Sequence, residues 1–216
     1  MKLRNKIKAW LRKALRHRLD QTNRKRLKKT EFTILSRNCL AGVLYHDLGL
    51  KFLSPVINLY FDAGDFIKFL QTPQKYLYGT MTEKTSDPYP IAQLADITLY
   101  GVHYQNYDEL KEKWEERAKR IDWNNVYIMM SERDGCGEDD IKAFDALPYE
   151  NKVIFVHHEM PEIKSACYLP GTALDGKDGH WVQALTSYKG RLTGKRYIDG
   201  FDYVEFFNSG TLKTRP

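Results

Sequence analysis

Phe32-Thr33-Ile34-Leu35-Ser36-Arg37-Asn38-Cys39-Leu40-Ala41-Gly42-Val43-Leu44-Tyr45-His46 is the stretch that decides the fold. Its first four residues form a short apolar run and predict a strand over 31–36. From Cys39 onward the apolar positions recur at helical spacing and predict a helix over 39–48, with Gly49 where a C-cap is expected. A strand that feeds directly into a helix opens an α/β unit. It also puts Cys39 beside the free N–H groups and positive dipole end of a helix start, where a thiolate is favoured over a thiol.

Outward from this unit, apolar runs alternate with amphipathic segments. The pattern predicts strands over 56–61, 96–103, 125–130 and 152–157, and helices over 63–71, 107–120 and 138–146. Asp62 or Asp65 is placed to cap the helix over 63–71. Pro161, Pro170, Gly171, Gly176 and Gly179 make 160–180 read as a long loop, followed by a short strand-like or helical piece near 181–188 and an apolar end, Phe201 to Phe207. The fold class expected is α/β, an α+β layered domain over 30–216, preceded by a basic amphipathic N-terminal helix in an arm over 1–29. With 216 residues the chain suffices for one well-buried domain.

Charge divides at the same boundary. Residues 1–29 hold 13 of the 34 Lys and Arg and one acid, Asp20, so the arm carries about +12 and the remainder about −6. In the arm Leu3, Ile7, Trp10, Leu11, Ala14, Leu15 and Leu19 form an apolar stripe, with Lys6, Lys8, Arg12, Lys13 and Arg16 on the other faces. Such a helix can lie in the headgroup layer of an anionic membrane, or pack its stripe on the domain or a partner. Basic charge confined to one arm, without a zinc-finger or RNP pattern, argues against nucleic acid. No run of 18 apolar residues spans a bilayer and no apolar h-region marks a secretory signal. Three widely spaced cysteines, Cys39, Cys136 and Cys167, suggest reduced thiols. The expected location is cytoplasmic, peripheral at the inner face of the membrane.

The first chemical candidate is Cys39, either a thiolate nucleophile or a buried structural cysteine. A nucleophile needs a base, and His103 closes the buried run Ile97-Thr98-Leu99-Tyr100-Gly101-Val102, where it can face a cleft; the other reading is a surface histidine. Asp134, just past the strand over 125–130, or Asp96, can orient that histidine, and loops after strands favour Asp134. Arg117 and Arg120 share one helix face and can clamp a phosphate or pair with Glu112, Glu115 and Glu116. His157-His158-Glu159 ends a strand, where neighbours point to opposite faces. With no HExxH or CxxC spacing elsewhere, no metal site is expected.

Asn38-Cys39 with Gly42 and Tyr45, Leu48-Gly49-Leu50, Ser54-Pro55 with Asn58, Asp65 to Leu70, His103-Tyr104 and Trp114-x-x-Arg117-x-x-Arg120-Ile121 together resemble a bacterial family built on a domain of unknown function. Its members are described as exopolysaccharide or capsule biosynthesis proteins. More distantly, an Asn-Cys opening a helix and a later strand histidine are similar to papain-like cysteine enzymes and to capsule acetyltransferase-like proteins. The resemblance implies a papain-like α/β domain and an acyl- or acetyltransferase of surface-glycan assembly with Cys39 as nucleophile and His103 as base. It further implies coenzyme A as acyl donor. Asn38, Ser54, Asn58, Arg117 and Arg120 would contact a lipid- or nucleotide-linked glycan precursor. A glycosyl- or phosphotransferase of the same pathway, or a non-catalytic scaffold of the assembly complex, are the alternative expectations.

Overall fold

The computed structural model describes residues 2–176, 179–190 and 192–215. In chain order its elements are α1 (Lys2–Arg26), β1 (Thr33–Ser36), α2 (Leu40–Leu48), α3 (Ala63–Gln71), α4 (Pro73–Leu77), β2 (Met81–Thr85), β3 (Ile91–Leu94), β4 (Ile97–Tyr100), α5 (Tyr107–Ala118), β5 (Val126–Ser131), α6 (Glu138–Asp145), β6 (Lys152–Val156), β7 (Ala166–Tyr168), β8 (Ala173–Gly176), β9 (Gly179–Val182) and α7 (Tyr203–Ser209). Strands β1-β5-β6-β7, in that order, form a four-stranded sheet in which every pair is parallel, with Leu35 opposite Ile128 and Ile154 opposite Ala166. β2-β3-β4 make an antiparallel meander and β8-β9 a two-stranded ribbon.

The parallel sheet is apolar on both faces, as a sheet covered by helices on each side must be. Successive residues alternate between two cores. Ile34, Tyr127, Met129, Val153 and Phe155 pack with α2 and α7. Leu35, Ile128, Met130, Ile154 and Val156 pack with α3, α5, α6 and the meander. The predicted helices over 39–48, 63–71, 107–120 and 138–146 correspond to α2, α3, α5 and α6, and Gly49 closes α2 in the left-handed conformation, φ 70°. Asp62 is the N-cap of α3, but its carboxylate accepts from the Tyr100 hydroxyl at 3.0 Å rather than from the helix.

Three expectations change. The apolar run 56–61 is buried but is not a strand: Asn58 adopts φ 64°, which breaks a ladder, and pairing survives only as an isolated bridge between Tyr60 and Tyr100. Within 160–180 the chain forms β7, β8 and the start of β9, short strands whose few residues carry no period; 177–178 lie outside the described residues. α4, β2 and β3 are also additions to the predicted elements, the strands being short and largely polar on their exposed side.

Helix α1 docks in the opposite sense to ordinary amphipathic packing. Its polar side faces the domain. Arg16, 4% exposed, pairs with Asp20 at 2.7 Å, Asp47 at 2.9 Å and Asp199 at 2.7 Å. Asn23 donates to the Tyr203 hydroxyl at 2.6 Å, and Arg24 donates to the carbonyls of Asp47 and His46 at the C-terminal end of α2, where a cation is favoured. Gly194, φ 65°, lets the chain pass so close to α1 that a Cβ there would lie 2.7 Å from the Arg16 nitrogen. The apolar stripe is left outside, with Ile7 51%, Trp10 67%, Leu11 40% and Leu15 39% exposed. No described helix is long and apolar enough to cross a membrane.

Candidate functional site

Ligands of open parallel sheets bind outside the carboxyl ends of the strands. Here the chain leaves β1 and β5 side by side, and the loops that follow enclose a cavity of about 480 Å³. From β1 come Asn38, Cys39 and Leu40; from β5, Ser131, Arg133 and Asp134; Tyr60, Asp62 and the segment Ala184 to Thr186 complete it. The turn into α2 is held locally. Ser36 Oγ accepts the Ala41 N–H at 2.9 Å and Asn38 Oδ1 the Leu40 N–H at 3.1 Å, so two of the free donors at this helix start are already taken. Asn38 Nδ2 reaches Ser131 Oγ at 3.4 Å and ties the two loops together.

Cys39 is the N-cap of α2 and half-buried, with its side chain in no cap hydrogen bond. Burial pushes its thiol pKa up, and one backbone hydrogen bond offsets this only in part. Position alone therefore does not activate it: the desolvation of a thiolate outweighs the one hydrogen bond that favours it. Asp134, 57% exposed in its side chain, sits at φ 50°, a conformation that costs a non-glycine residue and clusters at functional loops. Its carboxylate accepts from Arg133 Nε at 2.8 Å and lies 3.4 Å from Arg37 Nη2. Arg37 is buried under the same loop and donates to the Arg133 carbonyl at 2.8 Å; its Nε and Nη1 have no partner among the described residues. Tyr60 stacks on Tyr100, centroids 4.4 Å apart and rings 3° from parallel, and presents an aromatic surface beside the Asp62 carboxylate.

Of the residues picked from the sequence, the fold brings together Asn38, Cys39 and Asp134. His103 does not line this cavity. It is exposed, its N–H donates to the Asn58 carbonyl at 3.3 Å, and its ring makes no hydrogen bond to Cys39. Asp134 is accordingly an arginine partner and not the orienting group of His103. Ser54 is fully buried with its hydroxyl accepting from the Val56 N–H, which corrects the expectation that it touches substrate. Asn58 is a turn residue packed near Gly42 of α2. Arg117 donates to the Tyr104 hydroxyl at 2.9 Å and lies over the Phe52 ring. Arg120 pairs with Glu116 and donates to the Phe52 carbonyl at 3.2 Å. The next residue, Leu53, accepts from Thr33 at the start of β1, so Arg120 lies toward the amino end of the strand whose carboxyl end leads to Cys39, about 10 Å away along the strand. The arginine pair is thus no clamp for a ligand in this cavity. Tyr60, Asp62, Ser131 and Arg133 were missed, although the rule that favoured Asp134, chemistry on loops after strands, applies equally to the residues around 131–133. Thr186 carries no signal in the sequence at all.

A parallel sheet layered between helices, with a cavity at its carboxyl edge, defines an α/β fold. Residues 10–208 match the domain of unknown function DUF1919, and the chain belongs to that family. It is also similar to an uncharacterized protein of Haemophilus influenzae, 39% identical over 204 residues that cover 94% of this chain and 97% of that protein.

Proposed function

We propose that this chain is a transferase of surface-glycan assembly that holds the sugar of a lipid- or nucleotide-linked precursor in the cavity beside Cys39. The observation that carries the reading is the lining itself. One aromatic face, Tyr60, stands with Asp62, Asp134, Asn38, Ser131 and Thr186 around a space of about 480 Å³, large enough for a sugar ring. Apolar ring faces stack on aromatic rings, and sugar hydroxyls donate to carboxylates and amide oxygens. The resemblance to exopolysaccharide and capsule proteins supports the pathway. Asp62 or Asp134 takes the proton from a hydroxyl of the bound sugar as that oxygen bonds to the anomeric carbon or phosphorus of a nucleotide-linked donor and the donor's nucleotide leaves, a glycosyl or phosphoryl transfer.

A second reading, acyl transfer from coenzyme A through Cys39, is favoured by the position of that thiol, which lines the cavity at the first turn of α2. It requires a base that the cavity would have to recruit. The sugar reading is tested by saturation-transfer NMR of the full chain against monosaccharides and sugar phosphates. Transfer to one sugar is expected, and Tyr60→Ala should weaken it about tenfold, the value of one lost stacking contact. Transfer to no sugar, or equal transfer with Tyr60→Ala, overturns it.

The same proposal places the protein at an anionic membrane surface through α1. The exposed stripe of Ile7, Trp10, Leu11 and Leu15 is flanked by Lys6 and Lys13, while the buried Arg16 cluster fixes the helix to the domain. Each basic residue near an anionic surface contributes about 1 kcal/mol and a buried aromatic or leucine about 1.5–3 kcal/mol. Trp10→Ser together with Leu11→Ser should reduce partition into phosphatidylserine-containing vesicles by about 100-fold in a sedimentation assay, without a change in melting temperature. Unchanged partition would remove the membrane role.

A further inference from the structure

One strand along the same edge of the sheet lies a second constellation. Glu132, the residue after β5, is buried; its Oε2 accepts from the His157 backbone N–H at 2.9 Å and lies 2.8 Å from the imidazole Nδ1 of the same residue. His157 and His158 follow the end of β6 rather than belonging to it, so their rings meet, 4.3 Å apart, instead of pointing to opposite faces. His158 Nδ1 is 3.0 Å from His157 Nε2. His180, on β9, stacks on His157 at 5.2 Å with 14° between the planes, and its Nδ1 lies 2.6 Å from Asp175 Oδ1. These nitrogens face carboxylates and one another, and do not converge on a point where a cation would sit; among the described residues no set of three or more His, Cys, Asp or Glu side chains is arranged to hold a metal.

His180 also lines a cavity of about 320 Å³ with Arg133, Asp134 and Trp181. Arg133 and Asp134 line the larger cavity as well, so the two are neighbours across a single side-chain pair. Of the Arg133 nitrogens only Nε has a partner among the described residues, Asp134 at 2.8 Å, which leaves both Nη groups as donors. We propose that the smaller cavity holds the phosphate end of the ligand whose sugar occupies the larger one: a sugar joined to a phosphate or pyrophosphate. The inference rests on the sugar reading above. Arg133 supplies a planar pair of donors suited to phosphate. His180 lines the same cavity, with its Nδ1 2.6 Å from Asp175 Oδ1. Glu132 holds His157, on which His180 stacks, so the two rings are fixed relative to one another.

The test uses the full chain with ¹⁵N-labelled histidine, titrated with sodium pyrophosphate at constant pH and followed by imidazole ¹H–¹⁵N spectra. His180 and His157 resonances should move together and saturably, because the two rings are stacked. Arg133→Gln and the exposed-site variant His180→Asn should each weaken binding at least about tenfold, and Arg120→Gln should change nothing. A nucleoside diphosphate and a short prenyl diphosphate are the further probes; tighter binding of one assigns the source, and equal binding assigns recognition to the pyrophosphate alone. Shifts confined to His17 in the basic helix, or wild-type affinity in both Arg133→Gln and His180→Asn, overturn the proposal. Saturation transfer to a sugar that persists in that case leaves the larger cavity's role standing.

Discussion

Arg16→Ala is expected to destabilise the protein by about 3–5 kcal/mol, measured by urea unfolding, because it removes the shared partner of three carboxylates and leaves buried charge uncompensated. The partners differ in what remains to them. Asp47 keeps Arg196, and Asp199 keeps the Arg196 N–H at 2.6 Å. Asp20 has no other ion-pair partner among the described residues. Burial pulls the Arg16 guanidinium pKa down, but Asp199 and Asp47 outweigh it and hold the group charged. The Asp20 carboxyl is already raised above its ordinary value, by burial first and then by Asp47, with Arg16 opposing both. A carboxyl raised in the folded state binds more protons there than in the unfolded chain, so its contribution falls as pH climbs from the ordinary value through the raised one. Without Arg16 the raise grows. The loss in Arg16→Ala should consequently be larger at pH 7 than at pH 4.5, and Arg16→Ala/Asp20→Asn should recover part of it at pH 7. A loss that is equal at both pH values would show that Asp20 does not depend on Arg16.

The second large effect is catalytic. Asp62→Asn should lower transfer to the sugar identified by NMR at least about 100-fold, the usual weight of a positioned general base, while Cys39→Ser stays within about threefold of wild type. The amide oxygen introduced by Asp62→Asn can still accept from the Tyr100 hydroxyl, so the N-cap of α3 and the stacked Tyr60–Tyr100 pair should survive and the melting temperature should hold. The Cys39 comparison is the sharper half. Its thiol is pushed up by burial and has no imidazole within hydrogen-bond reach, and serine preserves its volume and polarity. The opposite pattern, with Asp62→Asn active, Cys39→Ser inactive and an acetyl adduct on Cys39 after incubation with acetyl-coenzyme A, assigns acyl transfer instead.

The three candidate residues that meet, Asn38, Cys39 and Asp134, illustrate what periodicity can deliver. Each follows a strand read correctly, β1 and β5, and those strands are parallel neighbours, so their exits are adjacent by construction. His103 failed to join them for an equally local reason. It lies in the turn just past β4, and β4 belongs to the antiparallel meander rather than to the parallel sheet, a distinction that an apolar run does not reveal. Arg117 and Arg120 do share a helix, as their spacing said, but spacing along a helix says nothing of which end of the sheet that helix approaches. Glu132 and His157 stand 25 positions apart and meet only because β5 and β6 end side by side.

The sequence by itself determined the alternation of buried strands and amphipathic helices, the boundary between a basic arm and an acidic body, and the thiol at a helix start, because each is written in the period or charge of a continuous segment. Tertiary structure alone decided which way the arm faces and what chemistry surrounds Cys39. The arm turns its polar side inward because Asp47 and Asp199, distant in sequence, offer Arg16 a buried charge partnership that no apolar stripe could replace. Around Cys39 the fold supplies carboxylates, an aromatic face and an arginine from two distant segments, 60–62 and 131–134, and desolvation there pushes the thiol pKa up. Both outcomes depend on contacts between residues far apart in the chain, which no local pattern encodes.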